Sequence, residues 1–87
     1  MTYHVKITVN DSQIGHLKIN NGSVVNKYEE DVPAGTTIQV TAVPDDFVEF
    51  DKWTDDDTNI TRTMTVNEDI TLRGDFNKTE EFYQHNF

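Results

Sequence analysis

Carboxylates are the residues of this chain with the clearest chemical potential, because they are numerous and they cluster. Asp45, Asp46, Glu49 and Asp51 lie close together, and the acidic run 55–57 follows shortly afterwards. Two carboxyl groups can act as general acid and base only where burial or a shaped pocket separates their pKa values. These residues occur in sequences typical of hydrated turns. The pattern therefore predicts no catalytic residue, and we do not expect an enzyme.

Calcium binding is the second chemistry that the acidic residues suggest. Asp55, Asp57 and Asn59 alternate along a short segment, and Ca²⁺ takes about six to eight oxygen ligands from flexible acidic loops. The segment lacks the Gly and the closing Glu that an EF-hand loop requires. We therefore interpret it as a solvated loop and expect no cofactor. Asp55, Asp57 and Asn59 are kept as the candidates for a metal site.

The histidines are a further candidate for metal binding. His4 and His16 are predicted to face each other across a hairpin of the first two strands, while His85 lies far along the chain. Both hairpin histidines fall on a polar face and no third ligand is predictable, so we interpret them as solvent-exposed. Ser12 and Ser23 lie in turn sequences without the context of a nucleophile elbow, which argues against a serine nucleophile.

The charge balance restricts the partners. The 87 residues include 7 Lys and Arg against 16 Asp and Glu, which gives a formal net charge of −9. Nucleic acids and anionic membranes bind basic surfaces, so we expect neither as a partner. No segment has the apolar length of a membrane span or the pattern of a signal peptide, and we expect a product made in the cytoplasm. Cysteine is absent, which excludes disulfides and thiolate zinc sites.

The segments between these polar residues alternate as β-strands do. Period-two patterns predict strands over residues 3–10, 14–19, 36–43, 47–53, 61–66 and 70–76. The segment 23–32 shows no clear period, and a short strand is expected there instead of a helix because Pro33-Ala34-Gly35 ends it abruptly. The first two strands are expected to pair as a hairpin, and so are the last two, around a polar turn at residues 67–69. Trp53 lies three residues after Phe50, which breaks the period of two and predicts a bulge or a strand end.

These strands define the expected fold. About six to seven short strands separated by polar turns predict an all-β protein, either a small single-domain antiparallel β-sandwich or a curled sheet. A β-grasp-like arrangement is a variant of the same prediction. The domain is expected over residues 1–76. Its core is predicted to contain Val5, Ile7, Ile38, Val40, Phe50, Trp53, Met64, Leu72 and Phe76.

Residues 77–87 are expected to form an aromatic C-terminal tail. Phe82, Tyr83 and Phe87 lie within this segment, and aromatic side chains contribute strongly to cores and to interfaces. Two interpretations stay open. The tail folds back over the sheet, or it docks on a neighbouring chain with these three aromatics as interface residues.

The order of several motifs resembles that of a known family. The strand 35–44, the pair Phe50 and Trp53, and the segment 64–72 running on to Phe76 are similar to the divergent internalin-B B-repeat family. The resemblance covers about residues 20–76. It implies a small β-rich module of bacterial surface proteins, often in tandem arrays, that serves in adhesion or as a spacer. It implies no catalytic activity.

We therefore expect a non-enzymatic structural or interaction module. A single copy without a secretion signal favours an accessory or decoration component of a larger assembly such as a bacteriophage virion. Protein partners are then expected, among them capsid or other virion proteins or further copies of the chain. Two alternatives stay open: an adhesion or spacer repeat of a secreted bacterial cell-surface protein, and a calcium-dependent carbohydrate-binding module.

Overall fold

The computed structural model describes residues 1–79, and these residues form eight β-strands and no helix that could span a membrane. The strands are Thr2–Val9 (β1), Gly15–Ile19 (β2), Val24–Val25 (β3), Lys27–Pro33 (β4), Thr37–Pro44 (β5), Val48–Trp53 (β6), Thr61–Thr65 (β7) and Ile70–Lys78 (β8). They form two four-stranded sheets, sheet A in the order β4-β1-β8-β6 and sheet B in the order β3-β2-β5-β7. The all-β sandwich prediction is confirmed.

Two details of the strand prediction differ from the structure. The segment 23–32 divides into β3 and β4, which lie in different sheets, so the described residues contain eight strands instead of six or seven. The last strand also continues past its expected end at Phe76, because Asn77 and Lys78 still pair with β6. The predicted bulge is confirmed, since the register between β6 and β8 shifts between Phe50 and Lys52.

Strand pairing departs from the prediction at both expected hairpins. β1 lies between β4 and β8 in sheet A, whereas β2 lies in sheet B. Likewise β7 pairs with β5, while β8 pairs with β1 and β6, so the turn at residues 67–69 crosses from one sheet to the other. A period-two pattern identifies the face that each side chain occupies and carries no information about the partner strand.

The first and last strands run parallel in the middle of sheet A. Their register extends from Val5 opposite Ile70 to Val9 opposite Gly74. Asn10 continues this pairing with its side chain, because Nδ2 donates to the Phe76 carbonyl at 3.1 Å and Oδ1 accepts from the Phe76 amide at 2.9 Å. The first and last strands of the described chain therefore run side by side in the same direction.

The buried core draws residues from both sheets. Of the predicted core residues, Phe50 and Met64 are half-buried and pack against it. The buried ones are Val5, Ile7, Ile38, Val40, Trp53, Leu72 and Phe76. Trp53 is fully buried, with its ring centroid 5.0 Å from that of Phe50. Its Nε1–H donates to the Asn59 carbonyl at 2.7 Å, so the core also fixes the loop that follows β6.

Candidate interaction surface

The acidic residues that suggested acid–base chemistry lie on the surface. Asp45, Asp46, Glu49 and Asp51 are all exposed. No polar or charged side chain among residues 1–79 is buried. General acid–base catalysis requires carboxyl groups that are buried or held in a shaped pocket, so this arrangement gives no support to it.

The acidic loop after β6 is organised around a cation that the protein itself supplies. Arg62 Nη1 lies 2.9 Å from Asp55 Oδ2, and Arg62 Nε lies 3.2 Å from Asp57 Oδ2. A hydrogen bond within the loop also holds Asp57 in place, since the Asn59 N–H donates to Asp57 Oδ1 at 2.8 Å. The calcium candidates Asp55, Asp57 and Asn59 therefore lie together, but two of them are already paired with a guanidinium. The described part of the chain holds no cluster of three acidic, His or Cys side chains arranged for a metal.

The prediction that His4 and His16 face each other is wrong, because β1 and β2 lie in different sheets. His4 instead lies between two carboxylates of β4, with Nδ1 2.8 Å from Asp31 Oδ1 and Nε2 2.8 Å from Glu29 Oε2. The hydrogen bond with Asp31, followed by that with Glu29, raises the pKa of His4. His85 lies outside the described residues.

Three of the four sheet edges carry features that obstruct pairing with another chain. β4 is highly charged and ends at Pro33. β3 has only two residues. β6 is interrupted by its bulge, and the Trp53 amide at its end donates to the Asp57 carbonyl at 2.8 Å. Charges, proline, short strands and bulges are the common means by which proteins protect sheet edges.

The fourth edge, β7, lacks these features. Its sequence is uncharged except for Arg62, whose guanidinium is paired within the protein. The Ala42 amide donates to the Ile60 carbonyl and the Val66 amide donates to the Thr36 carbonyl, both at 2.8 Å. Backbone groups alternate sides along an antiparallel strand, so the even-numbered residues from 60 to 66 bond to β5. The odd-numbered threonines direct their N–H and C=O groups to the free side: Thr61, Thr63 and Thr65.

A cleft of about 410 Å³ lies beside β7. Half-buried Met64 and Ile70 line it together with three acidic residues and one basic residue: Asp55, Glu68, Asp69 and Arg62. It borders the start of β8, where β6 no longer covers the strand, because β6 pairs only with residues 74–78. The cleft therefore joins an apolar surface and a free strand edge under an acidic rim.

This surface was not predicted from the sequence. Its signal is the repetition of Thr at positions 61, 63 and 65 in a strand with a single charge, a composition unlike that of the charged β4. The expected interface residues Phe82, Tyr83 and Phe87 lie outside the described residues, so their role stays a prediction.

Comparison with known proteins identifies the family of the chain. No curated protein and no solved structure matches the chain significantly. The family profile of the divergent InlB B-repeat domain matches residues 5–80, which span nearly all of the described β-sandwich. The match begins in β1 and so extends further toward the N-terminus than the resemblance over residues 20–76. The chain belongs to the divergent InlB B-repeat domain family.

Proposed function

We propose that this chain is a non-enzymatic module of a bacterial cell-surface protein, where it spaces neighbouring segments in line and binds protein partners. The family match supports a surface repeat, and the exposure of the acidic residues gives no support to catalysis. This function is the adhesion or spacer role that the sequence left open as an alternative.

The observation that carries the proposal is the parallel pairing of β1 and β8. Because Val5 lies opposite Ile70, Thr2 is level with position 67, and β8 continues to Lys78. At roughly 3.3 Å per residue, the two ends of the sheet are separated by about 36 Å along the strands. Segments joined to this domain at its two ends would leave it in opposite directions. A spacer in a linear array requires that arrangement.

The other two expected functions have less support. The expectation of a bacteriophage virion component stays a prediction, because it relied on the single copy and the missing secretion signal, and the family match favours the cell surface. The calcium-dependent carbohydrate-binding alternative requires free carboxylates in the loop at residues 55–59. Arg62 neutralises two of them.

Labelling of intact cells tests the proposal. Antibodies raised against the folded domain are applied to cells of the source organism before and after permeabilisation. We expect labelling of intact cells, and its loss after brief treatment of those cells with protease. Labelling that requires permeabilisation would contradict a surface location, and enrichment with purified virus particles would support the virion alternative instead.

A further inference from the structure

We propose that the free edge of β7 binds an extended, positively charged segment of a partner protein, which joins sheet B as a fifth strand. The inference deepens the proposed function, because it names the edge through which the module binds proteins and the chemistry of what it binds. It concerns the edge at Thr61, Thr63 and Thr65 together with the cleft beside them.

The backbone of β7 directs hydrogen-bonding groups to its free side. Thr61, Thr63 and Thr65 give three N–H donors and three C=O acceptors at the spacing of a strand edge. No strand among residues 1–79 lies on that side. Strand addition uses such groups for affinity and uses side-chain pockets beside the edge for specificity. Met64 and Ile70, in the cleft, offer an apolar contact for every second residue of the added strand.

The charges around the cleft identify the occupant. Its lining includes three carboxylates and one cation, so it carries a net negative charge even after the ion pair between Arg62 and Asp55 is counted: Asp55, Glu68, Asp69 and Arg62. The domain as a whole also carries an excess of carboxylates. Charge complementarity steers association and suppresses partners of like charge. A strand flanked by Lys or Arg therefore fits this edge better than a neutral or acidic one.

The same charges argue against the two occupants that the chain could supply itself. Antiparallel pairing of β7 with β7 of a second copy would place Glu68 and Asp69 of one copy near the loop at residues 55–57 of the other. The three carboxylates of that loop are paired with only two cations, Arg62 and Lys52, so the loop keeps a net negative charge. The chain's own segment 80–87 contains Glu80 and Glu81 and no Lys or Arg. Like charges facing each other across a pairing strand destabilise it.

A peptide titration tests the proposal on the full chain. The probe is the capped peptide Lys-Thr-Val-Thr-Val-Thr-Lys with a fluorescent label, and the matched control peptide replaces both Lys residues with Glu. We expect the Lys peptide to bind more tightly, by fluorescence anisotropy at low salt, with an affinity that falls as salt is added. In amide NMR spectra, the signals of Thr61, Thr63 and Thr65 should shift, and these amides should become protected from hydrogen exchange.

A pair of variants at one residue separates backbone pairing from side-chain contact. Thr63→Pro removes an N–H that points to the free side, while the bonds of β7 to β5 come from the neighbouring even-numbered residues. Thr63→Val keeps the N–H and changes only the side chain. We expect Thr63→Pro to weaken binding of the Lys peptide about tenfold and Thr63→Val to leave it within about twofold.

A second pair tests the charge and does not depend on how the proline variant folds. Glu68→Lys alters the rim of the cleft, whereas Glu49→Lys makes the same change of net charge on β6. We expect Glu68→Lys to weaken the Lys peptide and strengthen the Glu peptide, each several-fold, and Glu49→Lys to have a smaller effect on both.

Four results would overturn the proposal. These are equal affinity for the two peptides, peptide-induced shifts confined to another edge, self-association of the free protein that protects the β7 amides, and β7 amides that lose protection when residues 80–87 are removed. The third would assign the edge to a second copy and the fourth to the chain's own tail. A failure here leaves the cell-labelling result unchanged, so the edge proposal and the surface-module proposal fail separately.

Discussion

Two glycines let the aromatic residues of the core reach their positions. A Cβ atom on Gly15 would overlap the ring of Phe76, and one on Gly74 would lie 3.0 Å from Cζ3 of Trp53. Both rings are buried, Phe76 at 2 % exposure and Trp53 at 0 %. The absence of a side chain at positions 15 and 74 is therefore a packing requirement of the same core that the large residues fill.

Gly15→Ala is expected to destabilise the domain by about 1–3 kcal/mol, because the ring of Phe76 or the backbone of β2 must move to accommodate the methyl group. The measurement is urea unfolding followed by tryptophan fluorescence. Gly22→Ala is the control, since a Cβ there meets only the Ile19 carbonyl oxygen, at 3.1 Å. Equal stability of the Gly15 variant and the wild-type protein would contradict the packing argument.

The residues of the core differ in how far their roles could be predicted. Trp53 was placed in the core by its spacing from Phe50, and it is fully buried. The role of Gly15 could not be predicted, because glycine near a turn is expected for conformational reasons and the approach of Phe76 is a contact between distant parts of the chain. Arg62 and Met64 lie on the same face of the predicted strand. The pairing of Arg62 with Asp55 could not be predicted, because it depends on the path of the loop.

At the scale of strands, β1 and β4 are joined by a cross-strand cluster of charged side chains. His4 bonds to Asp31 and Glu29, and Lys27 Nζ lies 3.0 Å from Glu29 Oε1. The hydrogen bond from Lys27, followed by that from His4, lowers the pKa of Glu29. Opposite charges facing each other across paired strands stabilise the pairing. The cluster thus strengthens the edge strand β4 only while its members are charged.

We expect this cluster to make stability depend on pH. The pKa of His4 is raised above its ordinary value of 6.5, so its contribution is present in full below about pH 6.5 and is lost as pH rises through the folded pKa. The pKa of Glu29 is lowered from 4.5, so its contribution is present above about pH 4.5 and is lost as pH falls through the folded pKa. The cluster therefore stabilises most between these two values.

Thermal unfolding at a series of pH values measures this dependence. His4→Gln should remove the decline in Tm that the cluster causes above about pH 6.5, because the variant has no imidazolium to lose. His16→Gln is the control, since His16 lies in the other sheet. If His4→Gln retains the full decline, another group is responsible for it.

The strands were more predictable than their partners. Alternation located β1, β5 and β7 closely, because a half-buried strand requires it. The two expected hairpins were wrong because a short polar loop such as residues 67–69 can either reverse the chain within one sheet or carry it to the other. Which of these outcomes occurs depends on which residues around the loop become buried. That burial is set by the packing of the whole fold, so it cannot be read from the local sequence.

At the scale of the molecule, the two ends of the domain lie at opposite ends of sheet A. We expect two copies fused in tandem to form an elongated particle, whose maximum dimension exceeds that of one copy by about 36 Å or more at roughly 3.3 Å of strand per residue. Small-angle X-ray scattering of the fusion and of the single copy measures the difference. A fusion no longer than the single copy would show that the modules fold back side by side.

The parallel pairing of β1 and β8 has a mechanical consequence. When tension is applied between the two ends of the domain, it acts along these adjacent central strands and tries to slide one past the other. The backbone hydrogen bonds between Val5–Ile70 and Val9–Gly74 then bear the force together, because the hydrogen bonds of a parallel pair are evenly spaced and slanted between the strands. Rupture in this shear direction requires many bonds to break together, so the domain should withstand a pull that would peel an edge hairpin open.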